Sequence, residues 1–173
     1  IKLLHPVAGQ PMVTWVARSA HGLRPSRTVA VIGFQGDRVQ AALSGLCDAF
    51  VRQAEQRGTG HAVMQAAGAL RGALGPLLIV NGDLPSLEPA TLRALVALYR
   101  KSKAALAVVT TDVDDPTGYG RIVRDAKGRV TRIVEHKDAT AAERRITEIN
   151  CGIYCADPPV LMASLKKLRP DNA

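Results

Sequence analysis

The sequence predicts an α/β fold: a mixed, mostly parallel sheet with helices on both faces. Three observations lead there. Through Thr111, short β-branched runs alternate with amphipathic helical patterns, the order of a doubly wound sheet. The run Leu77-Leu78-Ile79-Val80 is apolar throughout, as in a strand buried on both faces. Beyond Thr111 the pattern changes to two runs flanking Lys127-Gly128, as in a hairpin, so an antiparallel half follows the parallel one.

The elements follow in order. Pro11 to Ala20 reads as a helix, with Met12, Trp15, Val16 and Ser19 at helical spacing and Pro11 suited to a first turn. Thr28 to Ile32 is a strand ending at Gly33, and Asp37 to Leu46 a helix carrying Val39, Ala42, Leu43 and Leu46 on one face. A strand at Ala49 to Arg52, a helix at Gly60 to Leu70, the Leu77 to Val80 strand and a helix at Pro89 to Tyr99 come next. Ala104 to Thr111 is a strand, Gly120 to Arg124 and Arg129 to Glu135 are hairpin arms, and Ala139 to Arg145 is helical. Glu148 to Cys155 is a strand, and Pro158 to Leu168 a closing helix. There is no internal repeat or low-complexity segment.

The 173 residues suffice for one domain. Hydrophobic residues make up 47% and aromatics 3%, so the core is built from Val, Leu, Ile and Ala. No apolar run approaches the roughly 18 residues of a membrane span. No basic-then-apolar leader opens the chain, so a cytoplasmic protein with no membrane partner is expected. The net charge of +8 favours anionic ligands. The basic residues are dispersed and no aromatics alternate with them, so no nucleic-acid partner is expected. The three cysteines, Cys47, Cys151 and Cys155, fit no zinc spacing. Cys151 and Cys155 are expected on one strand face as reduced thiols.

Several segments carry groups suited to a polar ligand. Asn81-Gly82-Asp83 follows the most apolar strand, where open α/β sheets bind ligands, and a carboxylate there can hold magnesium on substrate phosphates. The same tripeptide is also ordinary turn chemistry. The loop Gln53 to Ala62 leads from a strand into a helix whose N–H groups can face an anion or carbonyl. Gln53 can donate and accept. Thr59 is equally a helix cap, and His61 reads as structural. Gly118-Tyr119-Gly120 allows close backbone approach. Glu135 and Asn150 are the carboxylate and amide that sugar hydroxyls prefer, though both also suit a strand surface.

Together these blocks resemble a known family. Leu4-His5-Pro6 with Ala8 to Met12, Gln53 to Ala62, Gly82-Asp83-Leu84-Pro85, Asp115-Pro-Thr-Gly-Tyr-Gly-Arg-Ile122, Ile133 to Thr140 and Glu148 to Tyr154 cover the chain in order. They are similar to the uridyltransferase (pyrophosphorylase) domain of bacterial bifunctional N-acetylglucosamine-1-phosphate uridyltransferase/glucosamine-1-phosphate acetyltransferase. The resemblance implies a Rossmann-like nucleotidyltransferase fold. It implies that UTP and N-acetylglucosamine 1-phosphate give UDP-N-acetylglucosamine and pyrophosphate with Mg2+, for peptidoglycan and lipopolysaccharide precursors in the cytoplasm. It places Lys2 at the phosphates and Gln53 with the Gly58 backbone on uracil. Thr59, Asn81 and Gly82 fall in the nucleotide-sugar site, and Asp83 on the metal. Gly120, Glu135 and Asn150 fall on the N-acetylglucosamine moiety. Catalytic roles fall on Lys2 and Asp83.

The same resemblance implies that residues 1–173 form one partial domain. The family's glycine-rich phosphate loop would precede Ile1. Its Gly-Glu-Tyr-Tyr run, a second metal-ligating asparagine and a left-handed β-helix acetyltransferase domain would follow Ala173. A homotrimer is expected only of such a longer parent. Asn81 stands where the family commonly has an aromatic residue, and Cys151 where it has threonine. A related sugar-1-phosphate nucleotidyltransferase, or a UDP-sugar binder without turnover, are the alternatives.

Overall fold

The computed structural model describes residues 1–55, 57–73 and 75–167. They form two units: residues 1–107 together with the chain from Cys155 onward, and Val108–Tyr154.

In the first unit, a 3₁₀ turn at Lys2–Leu4 precedes strands β1 (Pro6–Val7) and β2 (Gln10–Pro11), paired antiparallel. Ala8 and Gly9 both take positive φ, 48° and 79°, the geometry of a two-residue hairpin turn. This hairpin has no apolar alternation and was not expected. It moves Pro11 out of the predicted helix, since its ψ of 136° is extended. Helix α1 is Met12–His21. Its deepest residues are Val13, Thr14 and Val16, so the buried face is turned from the predicted stripe. Trp15 and Ser19 instead donate to the Val7 and Leu87 carbonyls at 2.7 and 2.6 Å.

Strands β3 (Val29–Ile32) and β4 (Ala49–Arg52) pair in parallel, Val29 opposite Ala49 through Ile32 opposite Arg52. Between them α2 covers only Gly36–Ala42, short of the predicted Leu46, because Gly45 turns at φ 77°. Val13, Ile32, Val39 and Leu43 make the core here, flanked by Leu3, Leu4 and Phe50. Helix α3 is Gly58–Ala66, starting earlier than predicted and stopping before Gly68, a poor helix former. Strand β5 is Leu77–Val80 as predicted, but all four residues are only half-buried, not enclosed on both faces. Helix α4 (Pro89–Lys101) starts on its proline and buries Leu92 and Leu95.

Strand β6 (Leu106–Asp112) leads into the second unit. There β7 (Arg121–Arg124) and β8 (Val130–Val134) form the predicted hairpin, with Ile122 opposite Ile133. The Asp125 carboxylate accepts from the Lys127 and Arg129 N–H groups, both at 2.9 Å, and closes the turn. Strand β9 (Glu148–Ala156) sets Ile149 antiparallel opposite Arg121.

The predicted helix at Ala139 to Arg145 is instead a single 3₁₀ turn, Glu143–Arg145. Glu143 accepts from the Thr140 N–H and hydroxyl at 2.8 and 2.7 Å, and its own N–H donates back to Thr140. That reciprocal box caps a helix start, but Ile146 is already extended, so nothing propagates. Gly152, at φ 69°, breaks the alternation between Cys151 and Cys155: Cys155 is buried and Cys151 half-buried, and all three thiols are free. Back in the first unit, helix α5 is Pro158–Leu165, capped by Asp157 on the Val160 N–H at 3.0 Å. The predicted terminus at Leu168 lies outside the described residues.

Candidate nucleotide and sugar sites

Three polar constellations stand out, two in the first unit and one in the second. In the first unit Lys2 Nζ donates to Asp83 Oδ2 at 2.7 Å, joining residues far apart in sequence. Gly82 lies close against Leu3 and Val13. A Cβ there would meet Leu3 Cδ2 and Val13 Cγ2 at 3.3 Å, so a side chain would crowd the packing of the 81–83 turn on Leu3 and Val13. Asn81 sits half-buried directly after β5. The pair is exposed, so its own contribution to stability is small.

Gln53, leaving β4, turns its Nε2 to the Gly58 carbonyl at 3.3 Å and to His61 Nδ1 at 2.8 Å. His61 Nε2 lies 3.0 Å from the Gln65 amide. Gly58 opens α3 at φ 83°, a conformation side-chain-bearing residues rarely adopt. Thr59 is exposed within the first turn and caps nothing, because Arg57 holds the cap position. A cleft of about 380 Å³ is lined by Ile1, Leu3, Val31, Ile32 and Phe34, with Gln53 among the lining groups.

In the second unit, Gly120, Glu135 and Asn150 come together, although each lies on a different segment. The Asn150 N–H donates to the Gly120 carbonyl at 2.9 Å. A Cβ on Gly120 would stand 3.1 Å from Ile133 Cγ2 and 3.2 Å from Glu135 Oε1, so the glycine lets that carboxylate lie close to the backbone without crowding. Asn150 Nδ2 donates to the Tyr154 hydroxyl at 2.6 Å, and its Oδ1 accepts from the Gly152 N–H at 3.0 Å. Burial pushes the Tyr154 phenol above its ordinary value; the Asn150 bond pulls it down, and the nearby Glu135 charge adds to the rise. Glu135 itself is exposed and open to a ligand.

Sequence reasoning passed over Tyr154 and Arg121. The signal for Tyr154 was its place on the same strand as Asn150. Arg121 is 1% exposed; it donates to the Tyr119 carbonyl and, at 3.1 Å, to His136 Nδ1. It therefore ties the Gly118–Gly120 turn to the residue after Glu135. The Asp115 carboxyl is held below its ordinary value, first by the Thr117 hydrogen bonds and also by the Arg121 and His136 charges.

Asp125, Glu143 and Glu148, in the same unit, are lowered too. The leading causes are hydrogen bonds from Arg129, Thr140 and Arg124 respectively. Carboxyls lowered in the folded state add stability that is complete above their unfolded values and is lost as pH falls through the folded ones. This unit is therefore expected to loosen as pH drops below the ordinary values of 3.8 and 4.5. Hydrogen exchange followed across that range should show Val108–Tyr154 opening first, and Glu148→Gln should flatten the dependence.

Among the described residues no three His, Cys, Asp or Glu side chains converge as a complete metal cage. Magnesium binds through one or two carboxylates while keeping water and substrate phosphates as its other ligands. Asp83 fits that role. No described helix is long and apolar enough to cross a membrane.

Comparison with known proteins places the chain in a family. The chain is 48% identical over its whole length to the bifunctional protein GlmU of Geotalea uraniireducens (strain Rf4), covering 38% of that protein. It is 46% identical over 99% of its length to the bifunctional protein GlmU of Listeria monocytogenes serotype 4a, covering 37% of it. The chain thus spans well under half the length of these relatives. In structure it resembles a putative glucose-1-phosphate thymidylyltransferase from Bacillus anthracis (TM-score 0.75, 18% identity, 98% of this chain and 68% of that one). It also resembles an apo UDP-glucose pyrophosphorylase (TM-score 0.71, 17% identity, 96% of this chain and 71% of that one). At such identities these two show the fold alone, a Rossmann-like mixed α/β nucleotidyltransferase fold. Residues 1–150 match the MobA-like NTP transferase domain, and the chain belongs to that family.

Proposed function

We propose that this chain performs uridylyl transfer from UTP to N-acetylglucosamine 1-phosphate, giving UDP-N-acetylglucosamine and pyrophosphate. The observation that carries the reading is the meeting of Gly120, Glu135 and Asn150 in one unit, on a chain 46–48% identical throughout to GlmU proteins. Glu135 accepts from sugar hydroxyls, Asn150 holds the acetamido side, and the Gly120 backbone lies against the ring. Gln53 and Gly58 take uracil; Thr59, Asn81 and Gly82 border the nucleotide-sugar path.

The sugar phosphate is already a nucleophile, so no side chain must be activated. Its oxygen attacks the α-phosphorus of UTP, the bond to the β,γ-phosphates breaks, and pyrophosphate leaves. The Lys2 ammonium, steered by Asp83, turns to the phosphates and stabilises the charge that builds there. Lys2 and Gln53 hold UTP oriented for attack, which supplies much of the acceleration. Asp83 would hold Mg2+, whose contribution when bound is to neutralise phosphate charge.

The product serves bacterial cell-wall and lipopolysaccharide precursor synthesis in the cytoplasm. In the full-length protein this domain joins an acetyltransferase β-helix, and the whole is a homotrimer. The test is pyrophosphate release by the full-length protein with UTP, N-acetylglucosamine 1-phosphate and magnesium. Release that requires all three is expected. Stabilisation by UDP-N-acetylglucosamine without release would leave a UDP-sugar binder in its place.

A further inference from the structure

The Gln53–His61–Gln65 chain of hydrogen bonds fixes which base Gln53 can read. Gln53 Nε2 has two hydrogens and two acceptors in reach: the Gly58 carbonyl at 3.3 Å and His61 Nδ1 at 2.8 Å. The Gly58 oxygen can only accept, so it settles the orientation of the amide. His61 Nδ1 must then be the ring's acceptor nitrogen. A neutral imidazole carries its one hydrogen on the other nitrogen, so Nε2–H donates to the Gln65 amide oxygen, the Gln65 amide being turned to present it. With both Nε2 hydrogens engaged, Gln53 offers a ligand only Oε1, an acceptor.

We propose that His61 is a positioning residue that locks Gln53 as an acceptor, and so makes the site select uracil over cytosine. Uracil presents N3–H, a donor, to such an oxygen. Cytosine presents N3 as a lone pair, which the same oxygen repels. This deepens the function proposed above and rests on its assignment of Gln53 to the base. An unlocked glutamine could rotate and serve either base, which is why the histidine matters more than the amide alone. His61 is half-buried, and Gln65, one helical turn further on, completes the chain from the exposed side of α3.

The test measures kcat/KM for UTP and for CTP in the full-length protein, with N-acetylglucosamine 1-phosphate saturating. His61→Ala is expected to narrow the preference for UTP about tenfold, roughly the contribution of one hydrogen bond, with the change carried by nucleotide KM. His61→Asn is expected to keep the preference, because its Oδ1 occupies the Nδ1 position and accepts. A merely structural histidine would lower activity with both nucleotides together, and that result would overturn the proposal. So would a failure of His61→Asn to retain selectivity while folding normally. Gln53→Ala separates the levels. If it abolishes the preference while His61→Ala does not, the lock is wrong but Gln53 reads the base. If Gln53→Ala also leaves the preference intact, the assignment of Gln53 to uracil falls, and the lock with it.

Discussion

Asp83→Ala in the full-length protein is expected to lower magnesium-dependent pyrophosphate release by at least about a hundredfold, the order lost when a charge-stabilising group is removed from a reacting centre. The fold should survive. Asp83 meets Lys2 in an exposed pair, and such pairs contribute no more than about 1 kcal/mol. Thermal unfolding should therefore stay nearly unchanged while activity collapses, a separation that a structural turn aspartate would not give. Lys2→Met should lose activity too, but through the other half of the pair. If Asp83→Ala retains full activity, the carboxylate is a turn residue and the metal assignment fails.

Glu135→Ala is expected to raise the KM for N-acetylglucosamine 1-phosphate about ten- to a hundredfold, the range for losing a hydrogen bond to a charged group. The KM for UTP should change little, because the proposed contacts of UTP are to Lys2, Gln53 and Gly58, not to Glu135. Glu135 is exposed, so its removal opens no cavity in the core. Gly120→Ala should give a milder sugar-phosphate defect by another route, since the new methyl would crowd Ile133 Cγ2 at 3.1 Å and Glu135 Oε1 at 3.2 Å. An unchanged KM for the sugar phosphate in both variants would return Glu135 to an ordinary surface position.

Much of this was legible in the sequence because periodicity reports long, regular elements. The α4 helix, the β3, β4 and β5 strands and the β7–β8 hairpin carry strong patterns and stand where expected. What pattern could not reveal was local backbone chemistry. The β1–β2 hairpin depends on two positive φ values, one at an alanine. Gly45 cuts α2 short, and Thr140 with Glu143 makes a capped turn that never becomes a helix.

The site residues were legible as motifs, but not their partnerships. Nothing in the local pattern around Lys2 says that it meets Asp83. Arg121 read as a hairpin residue, yet it is buried and holds the Tyr119 carbonyl. His61 read as structural because one histidine on a first turn usually is. Both its ring nitrogens face glutamine amides, contacts that no local pattern encodes.

The most direct measurement of the central claim is a competition in one reaction. The full-length protein is given UTP, magnesium and equal concentrations of N-acetylglucosamine 1-phosphate and glucose 1-phosphate, and the two nucleotide sugars are separated and weighed by mass spectrometry. The Gly120, Glu135 and Asn150 cluster predicts UDP-N-acetylglucosamine in large excess, with the excess shrinking in Glu135→Ala. Equal products, or an excess of UDP-glucose, would contradict it.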